Sequence, residues 1–517
     1  MKALCTFVLM SKEKRSSVSL CAKKIDMKKK NLFSMLGSIM LTASIQAQEL
    51  RLTLDDAIGM AADSSLSAVK ARRSYLSGYW EYRAYKAARL PSLTLNLTPA
   101  QYNRNIVQRY DSENDRDVFR TQQSYYASGG LSVKQNIDWT GGTLYLNSNL
   151  DFLRSFGENT YSQFSSVPFR IGYSQSLVGY NSFKWDKLIE PLKYERTKKE
   201  LTYNLEQISE EAITYFFALA QAQAEYDLAV KNLASCDTLY KIGCDRHQIA
   251  AISKADLQTL KLDVINANNT LKNSEISLRR AMFQLASFLN IDKEQKLELD
   301  LPERPKSFTI SADEALAYAR ENNPEFMTLK QSLLESKREV DRTKKESGIN
   351  ASLNASIGFN QVGSEFKEVW QNLLQQDMVS VSLTIPIVDW GVRKGRYNMA
   401  RNNLNVVEIS SRQTEQGLEE EVVMTVNAFN VQGGMIESAE EAKLLAESAY
   451  EDTRMRFIIG KSDINSLSMA LNRKDTAEKN YIAALRNYWL SYYKIRRLTM
   501  YDFTTNSHIR TESEIIE

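Results

Sequence analysis

Two periodicities divide this chain. In six short stretches apolar and polar residues alternate strictly, the two-residue period of a strand with one oily and one wet face. Leu93, Leu95 and Leu97 alternate with Thr94, Asn96 and Thr98, and Leu131, Val133 and Ile137 with Ser132, Lys134 and Asn136. Leu144, Leu146, Leu150 and Phe152 oppose Tyr145, Asn147, Asn149 and Asp151; Phe169, Ile171, Tyr173 and Leu177 oppose Arg170, Gly172, Ser174 and Ser176. Leu353, Ala355, Ile357 and Phe359, then Val379, Val381, Leu383 and Ile385, repeat the pattern. Strands are therefore expected near 92–101, 129–137, 143–153, 168–177, 350–360 and 378–387. The connections 104–126, 155–167 and 361–377 read as long polar loops, and Asp138-Trp139-Thr140-Gly141-Gly142 as a tight turn.

The second period is helical. Leu201, Leu205, Ile208, Ala212, Tyr215, Leu219, Ala222, Tyr226, Ala229 and Leu233 fall at alternating steps of four and three, the seam of a coiled coil. A matching seam is expected at Ala439, Ala442, Ala446, Ala449 and Thr453. Long helices are placed at 182–245 and 392–457, each roughly 95 Å at 1.5 Å per residue. Segments 54–89, 253–290, 312–347 and 463–500 are about half as long, so two stacked end to end would match one long helix.

These elements are written twice. Leu54-Asp55-Asp56-Ala57-Ile58 returns as Ala312-Asp313-Glu314-Ala315-Leu316, 258 residues later (54 to 312), and internal duplication fixes the structural unit. The chain divides into a first repeat at 48–305, a second at 306–503 and a polar tail at 504–517. Residues 1–47 stand outside both. Met27-Lys28-Lys29-Lys30, the apolar run from Leu32 to Ile45, and Gln46-Ala47 read as a secretory signal starting at Met27, with an uncleaved anchor as the alternative.

Setting the leader aside reverses the charge. The remainder keeps 57 of the 66 Lys and Arg and 61 of the 63 Asp and Glu, a net of −4, which leaves no basic footprint for nucleic acid. Two cysteines remain, Cys236 and Cys244, so disulfides do not build the fold. After residue 47 no apolar run is long enough for a transmembrane helix, but strands of about 9 to 11 alternating residues can cross a bilayer in a closed barrel. A soluble sheet with one wet face alternates identically. Six strands with open edges would leave backbone groups unpaired in lipid, so several chains must share one barrel.

The ordered, duplicated set of motifs resembles the TolC-like outer-membrane factor family over residues 50–503. It comprises the two helix starts, Asn322-Asn323-Pro324, Lys86-Ala87-Ala88-Arg89-Leu90-Pro91, the junction from Val381 to Gly391 with Arg393 and Gly395, and Arg456-Phe457-Ile458-Ile459-Gly460. The resemblance implies a mainly α fold with a membrane β-barrel: long antiparallel helices forming a periplasmic tunnel, and strands shared in a trimeric barrel. It implies an outer-membrane exit duct of a tripartite efflux or type I secretion system. The expected partners are copies of itself as a homotrimer, a periplasmic adaptor (membrane fusion protein), an inner-membrane pump and the lipid bilayer. The family supplies two strands per repeat, so the hairpin 131–152 is additional and either enlarges the barrel or packs elsewhere.

Site expectations follow from the resemblance. Asp463 and Asp256 are candidates for an acidic constriction at the periplasmic tips, with helix capping as the competing role of each. Arg246, Ile249, Ala250, Arg456, Phe457 and Gly460 are candidates for adaptor docking, and Pro386, Asp389, Gly391 and Arg393 form the strand-to-helix junction. The first tip departs from the pattern, with His247 at the aromatic position and Ala250 at the glycine, and Ser65-Leu66 stands where Asn-Pro is expected. The only histidines, His247 and His508, exclude a multi-histidine metal site, and no phosphate loop or catalytic constellation is present; no cofactor is expected. The rival is a soluble periplasmic coiled-coil scaffold or adaptor without a barrel.

Overall fold

The computed structural model describes residues 50–156, 160–249, 252–293, 295–305 and 308–509. The leader read at 1–47 and the last eight residues lie outside that range. The chain runs β1 (Leu50–Leu52), α1 (Leu54–Ser64), α2 (Leu66–Ala87), β2 (Ser92–Asp111), β3 (Arg116–Ile137), β4 (Gly142–Phe156), β5 (Tyr161–Ser176), α3 (Ser182–Gln248) and α4 (Lys254–Leu289). The second repeat follows with β6 (Leu297–Leu299), α5 (Ala312–Asn322), α6 (Pro324–Glu346), β7 (Asn350–Gly363), β8 (Leu374–Thr384), α7 (Val392–Ile458) and α8 (Ile464–Thr499), closed by β9 (Tyr501–Asp502) and β10 (Ser507–His508).

The helices form a wall four across. Next to the sheet the order is α2, α3, α6, α7; toward the far end it is α4, α3, α8, α7. The long helix α3 is thus packed on both flanks. One flank buries Ile208, Ala212, Leu219 and Ala222 against Leu285 and Leu289, which is the expected seam. The other buries Ile213, Phe216 and Phe217 against Phe429, Leu485 and Tyr488. The α7 seam is shifted from its expected register. Ile436, Tyr450 and Phe457 are buried and Ala439, Ala446 and Thr453 half-buried, whereas Ala442 and Ala449 are exposed. The alanine spacing misled because the bulkier Ile436, Tyr450 and Phe457 bury more apolar area and set the packed face.

Both half-length segments break after eleven residues, and a single side chain makes each break. Asn323 closes α5 and its Oδ1 accepts the Glu325 N–H at 2.9 Å, with Pro324 at the first helical position, where a missing N–H costs nothing. Ser65 does the same between α1 and α2, its Oγ accepting the Ala68 N–H at 3.1 Å. A serine suffices because an N-cap needs only an extended backbone and a short acceptor.

The strands form one antiparallel sheet in the order β2-β3-β4-β5-β7-β8, with β2 and β8 as its free edges. The additional hairpin lies inside this sheet. The expected polar loops are mostly strand: β2 and β3 stay paired up to Asp111↔Arg116, and the β4–β5 connection spans only residues 157–160. Alternation fades there, at Asn103 to Arg109 for instance, because a ribbon with water on both faces needs no oily side. A register shift between Thr98 and Gln101 keeps the outer face continuous, so that Leu93, Leu95 and Leu97 lead into Tyr102, Ile106 and Tyr110. The segment 364–373 is also folded, with Val369 fully buried and its carbonyl accepting from Ser166 Oγ.

Residues 501–508, which take in the start of the polar tail expected at 504–517, form a small hairpin at the middle of the shaft. Tyr501 stacks on Tyr318 at 4.1 Å, and His508 stands edge-on to both rings. Beneath it Arg496 bridges Glu206 (3.0 Å) and Asp502 (3.3 Å), and Arg497 holds Glu210 (2.5 Å), tying α8 of the second repeat to α3 of the first. A second joint is the parallel pairing of β1 with β6.

Candidate functional site

The end of the wall farthest from the sheet carries two helix hairpins, α3–α4 and α7–α8. The second is closed by Gly460 at φ +81°. Its N–H donates to the Phe457 carbonyl at 3.0 Å and the Lys461 N–H to the Arg456 carbonyl at 2.8 Å, the paired bonds of a Schellman motif that needs a left-handed residue at this point. The first hairpin ends differently. Ile249 terminates α3 with its side chain exposed, His247 Nδ1 lies 3.1 Å from the Ile252 carbonyl, and Ala250 falls outside the described residues.

The two hairpins are tied by one side chain. Arg246 Nη2 donates to the carbonyls of Phe457 (3.2 Å) and Ile458 (3.0 Å) in the last turn of α7, and its guanidinium lies over the Phe457 ring at 5.5 Å. A cation at a helix C-terminus also meets the negative end of the helix dipole. Nothing in the sequence marked this pairing beyond the cationic residue itself, because its acceptors are backbone atoms 211 and 212 residues away. Phe457 itself is buried against Tyr450 and Leu467, so it supports the tip from within, while Arg456, Ile458 and Ile459 face water.

Both candidate carboxylates cap helices. Asp463 is the N-cap of α8; its Oδ1 accepts the Ser466 N–H at 2.7 Å, and the hydrogen bonds from Ser466 hold its carboxyl below the usual range. Asp256 lies three residues inside the cap of α4, where it reciprocates Ser253 in a capping box, accepting from the Ser253 N–H at 3.1 Å and Oγ at 2.7 Å. Asp463 is fully solvated as well as bonded. Above the tips the helices enclose a cavity of about 160 Å³ lined by Cys236, Asp263, Tyr450 and Leu467. Burial pushes the Asp263 carboxyl and the Cys236 thiol up, and both Cys236 and Cys244 are free thiols.

At the other end, the junction residues act together. Asp389 accepts the N–H groups of Gly391 (3.0 Å, Oδ1) and Arg393 (3.1 Å, Oδ2) and pairs with the Arg393 guanidinium at 3.7 Å, starting α7 directly below β8. Those backbone bonds, the Arg393 one first, lower its pKa. Gly391 supplies the positive φ of +88°, and Pro386 sits half-buried in the extended lead-in. The first repeat replaces this device with Asn181, whose Oδ1 accepts the Lys184 N–H and whose Nδ2 donates to the Asp138 carbonyl.

The sheet's outer face carries Leu95, Val133, Leu146, Ile171, Ile357 and Val381, and its other face Asn96, Ser132, Asn147, Arg170, Ser356 and Ser380. Exposed Trp139 and Trp390 lie at the shaft-side end and Phe152, Phe164 and Phe366 at the opposite end, as in the aromatic girdles of outer-membrane barrels. No helix among the described residues is long and apolar enough to cross a membrane, and none of their acidic, histidine or cysteine clusters suits a metal ion.

The outer membrane efflux protein family matches residues 315–499. No curated protein matches the chain. Among solved structures, the Campylobacter jejuni CmeC outer membrane channel is similar over 90% of this chain and 88% of its own, at 12% identity and a TM-score of 0.64. A membrane protein from Pseudomonas aeruginosa is 16% identical, covering 86% of this chain and 90% of its own with a TM-score of 0.61. The Vibrio cholerae outer membrane protein VceC is 12% identical over 86% and 95%, with a TM-score of 0.61. The family is one of channels, not of enzymes, and it replaces the soluble-scaffold alternative with an outer-membrane location and a periplasmic helical extension. Residues 315–499 thus belong to the outer membrane efflux protein family, and the whole chain has the fold of the TolC-like outer-membrane channels.

Proposed function

We propose that three copies of this chain form the exit duct of a tripartite efflux or type I secretion assembly, receiving substrate from a periplasmic adaptor and an inner-membrane pump. The observation that carries this reading is the open wall: a sheet with one apolar face and two unpaired edges stands on a helical layer that is also open on both flanks. The edge strand β8 stands above α7 and β2 above α2, so one chain's β8 and α7 meet the next chain's β2, α2 and α4. On α7, Met399 and Val406 and then Met424 and Val431 recur at seven-residue spacing with their side chains exposed in a single chain; Val69, Leu262 and Ile276 are exposed on the opposite flank. Covering these surfaces closes the barrel and the tube in one step.

At the tips, Ile249, Arg456, Ile458 and Ile459 form the adaptor-docking surface, and Gly460 shapes it. Asp463, solvated and ionised, is the candidate for an acidic ring at the closed mouth, where repeated carboxylates focus the field; Asp256 is the weaker one, its carboxylate being engaged by Ser253. Membrane fractionation with unheated electrophoresis tests the assembly. A detergent-dependent trimer in the outer-membrane fraction supports the duct, and a soluble monomer sinks it. Co-purification of an adaptor, abolished by Ile459→Asp, tests the docking surface.

A further inference from the structure

We infer that the cavity between the two helix hairpins is a binding site for a small ammonium ion carried on an apolar body, with Asp263 as its counter-charge. The site lies within one chain and needs neither adaptor nor pump. Its origin is the packing of α3. Higher in the shaft, Ile213, Phe216 and Phe217 fill the space against Phe429, Leu485 and Tyr488. The four-three seam runs out at Leu233, and around that point α3 presents Asn232, Ser235 and Cys236 instead. Such short side chains cannot fill the space between α4 and α8, which flank α3, and a cavity of about 160 Å³ remains.

The lining has two characters. Leu260, Ala267, Tyr450, Phe457 and Leu467 are buried and give it an apolar wall. Asp263, half-buried, is the charged group of the lining, and its carboxylate has neither a hydrogen bond nor an ion pair among the described residues. Burial alone displaces its titration, upward. The cations that stand over the cavity's rings are committed elsewhere. Lys474 Nζ lies 5.1 Å from the Tyr450 ring centre but pairs with Glu447 at 3.1 Å, and Arg246, over Phe457, is engaged by the α7 carbonyls. A carboxylate withdrawn from water without a partner is unfavourable, and an incoming cation relieves it.

The apolar wall decides which cation. A bare metal ion would leave it unused, and no acidic, histidine or cysteine cluster among the described residues suits one. An ammonium on a ring or a short hydrocarbon chain uses both halves. Cavities of about 150 Å³ hold a benzene ring, so benzylamine has the right size and charge. Because α3 and α4 line one side and α7 and α8 the other, an occupant bridges the two hairpins above the Arg246 tie and holds them together.

The test is calorimetric titration of the full-length protein in detergent at neutral pH with benzylamine, and with benzyl alcohol, which has the same shape without the charge. Benzylamine is expected to bind once per chain with a dissociation constant on the order of 1 mM or below. Replacing it by benzyl alcohol, or Asp263 by asparagine, should weaken binding about tenfold or more. Cys236 lines the cavity and Cys244 does not, so benzylamine should slow N-ethylmaleimide alkylation of Cys236 and leave that of Cys244 unchanged. Absence of benzylamine binding, equal binding of benzyl alcohol, undiminished binding to Asp263→Asn, or equal protection of both thiols overturns the site. Should Asp263→Asn fail to fold, Ala267→Leu, which fills the same space, is expected to abolish binding, and binding retained by that variant overturns the placement.

Discussion

Replacing Arg496 with methionine tests how the two repeats are joined. The guanidinium links Glu206, which is 9% exposed, to Asp502, and the second Glu206 carboxylate oxygen has no partner among the described residues. Burial raises the Glu206 pKa despite the favourable pull of Arg496. Removing the cation leaves a buried charge without compensation, a loss of about 3–5 kcal/mol, whereas removing both partners is close to neutral. A chain of this length unfolds with an entropy near 1 kcal/mol/K, so Arg496→Met should lower the apparent melting temperature by about 3–5 °C. Glu206→Leu combined with Arg496→Met should recover most of that. The assay is far-UV circular dichroism of the detergent-solubilised protein at one fixed scan rate. Because the folded pKa of Glu206 lies above its unfolded value, protonation favours the fold; its contribution is complete below about 4.5 and lost as pH rises through the folded value. The single variant should therefore recover part of its stability as the pH falls from neutrality, because burial favours the protonated form of the orphan carboxyl. A double variant no better than the single, or a single variant unaffected at neutral pH, would refute the argument.

Three further outcomes are expected. Asp463→Asn keeps a competent N-cap but removes the charge, so altered cation block with unchanged helix protection would assign Asp463 to the mouth, while an effect seen only with Asp463→Ala would assign it to capping. Arg246→Gln should speed amide exchange at Phe457 to Lys461 and raise antibiotic leak; unchanged exchange would mean that the bonds to the α7 carbonyls do not hold the tip. Val381→Arg, on the lipid face, should cost about 2–4 kcal/mol near the bilayer midplane and reduce assembled protein, whereas Ser380→Arg on the opposite face should assemble normally; equal effects would contradict the assigned faces.

What was legible in the sequence was what repeats. Alternation at Leu93 to Leu97 and the four-three seam from Leu201 to Leu233 each report a face buried against one kind of neighbour, and both fold elements followed from them. What was not legible depends on neighbours distant in sequence. The upper halves of β2 and β3 lost their alternation because water lies on both sides. The second buried flank of α3 was hidden because Ile213, Phe216 and Phe217 look like ordinary scatter beside a clean seam. Glu206, Arg496 and Arg497 resemble solvated helix charges until α3 and α8 are brought together. At the tips, the glycine of the Schellman motif carried its own signal, while the tie from Arg246 to backbone carbonyls carried none.

The duplication gives two long helices of 67 residues each, yet it does not give them equivalent places. In one chain α3 is packed between α2 and α6 and again between α4 and α8, while α7 has a neighbour on one flank only. A closed ring built from such units makes every long helix two-sided, but for α7 the second neighbour must come from another chain. The residues agree with that division: α3 buries aromatic and aliphatic side chains on both flanks, whereas α7 leaves Met399, Val406, Met424 and Val431 exposed. The same logic places the inserted hairpin. The inserted strands β3 and β4 stand between β2, which follows α2, and β5, which precedes α3, with their turn held by Asn181, so the insertion lies inside the chain's own sheet and leaves both of its free edges unchanged. An insertion made there lengthens the wall of one chain without altering the edges by which chains would meet.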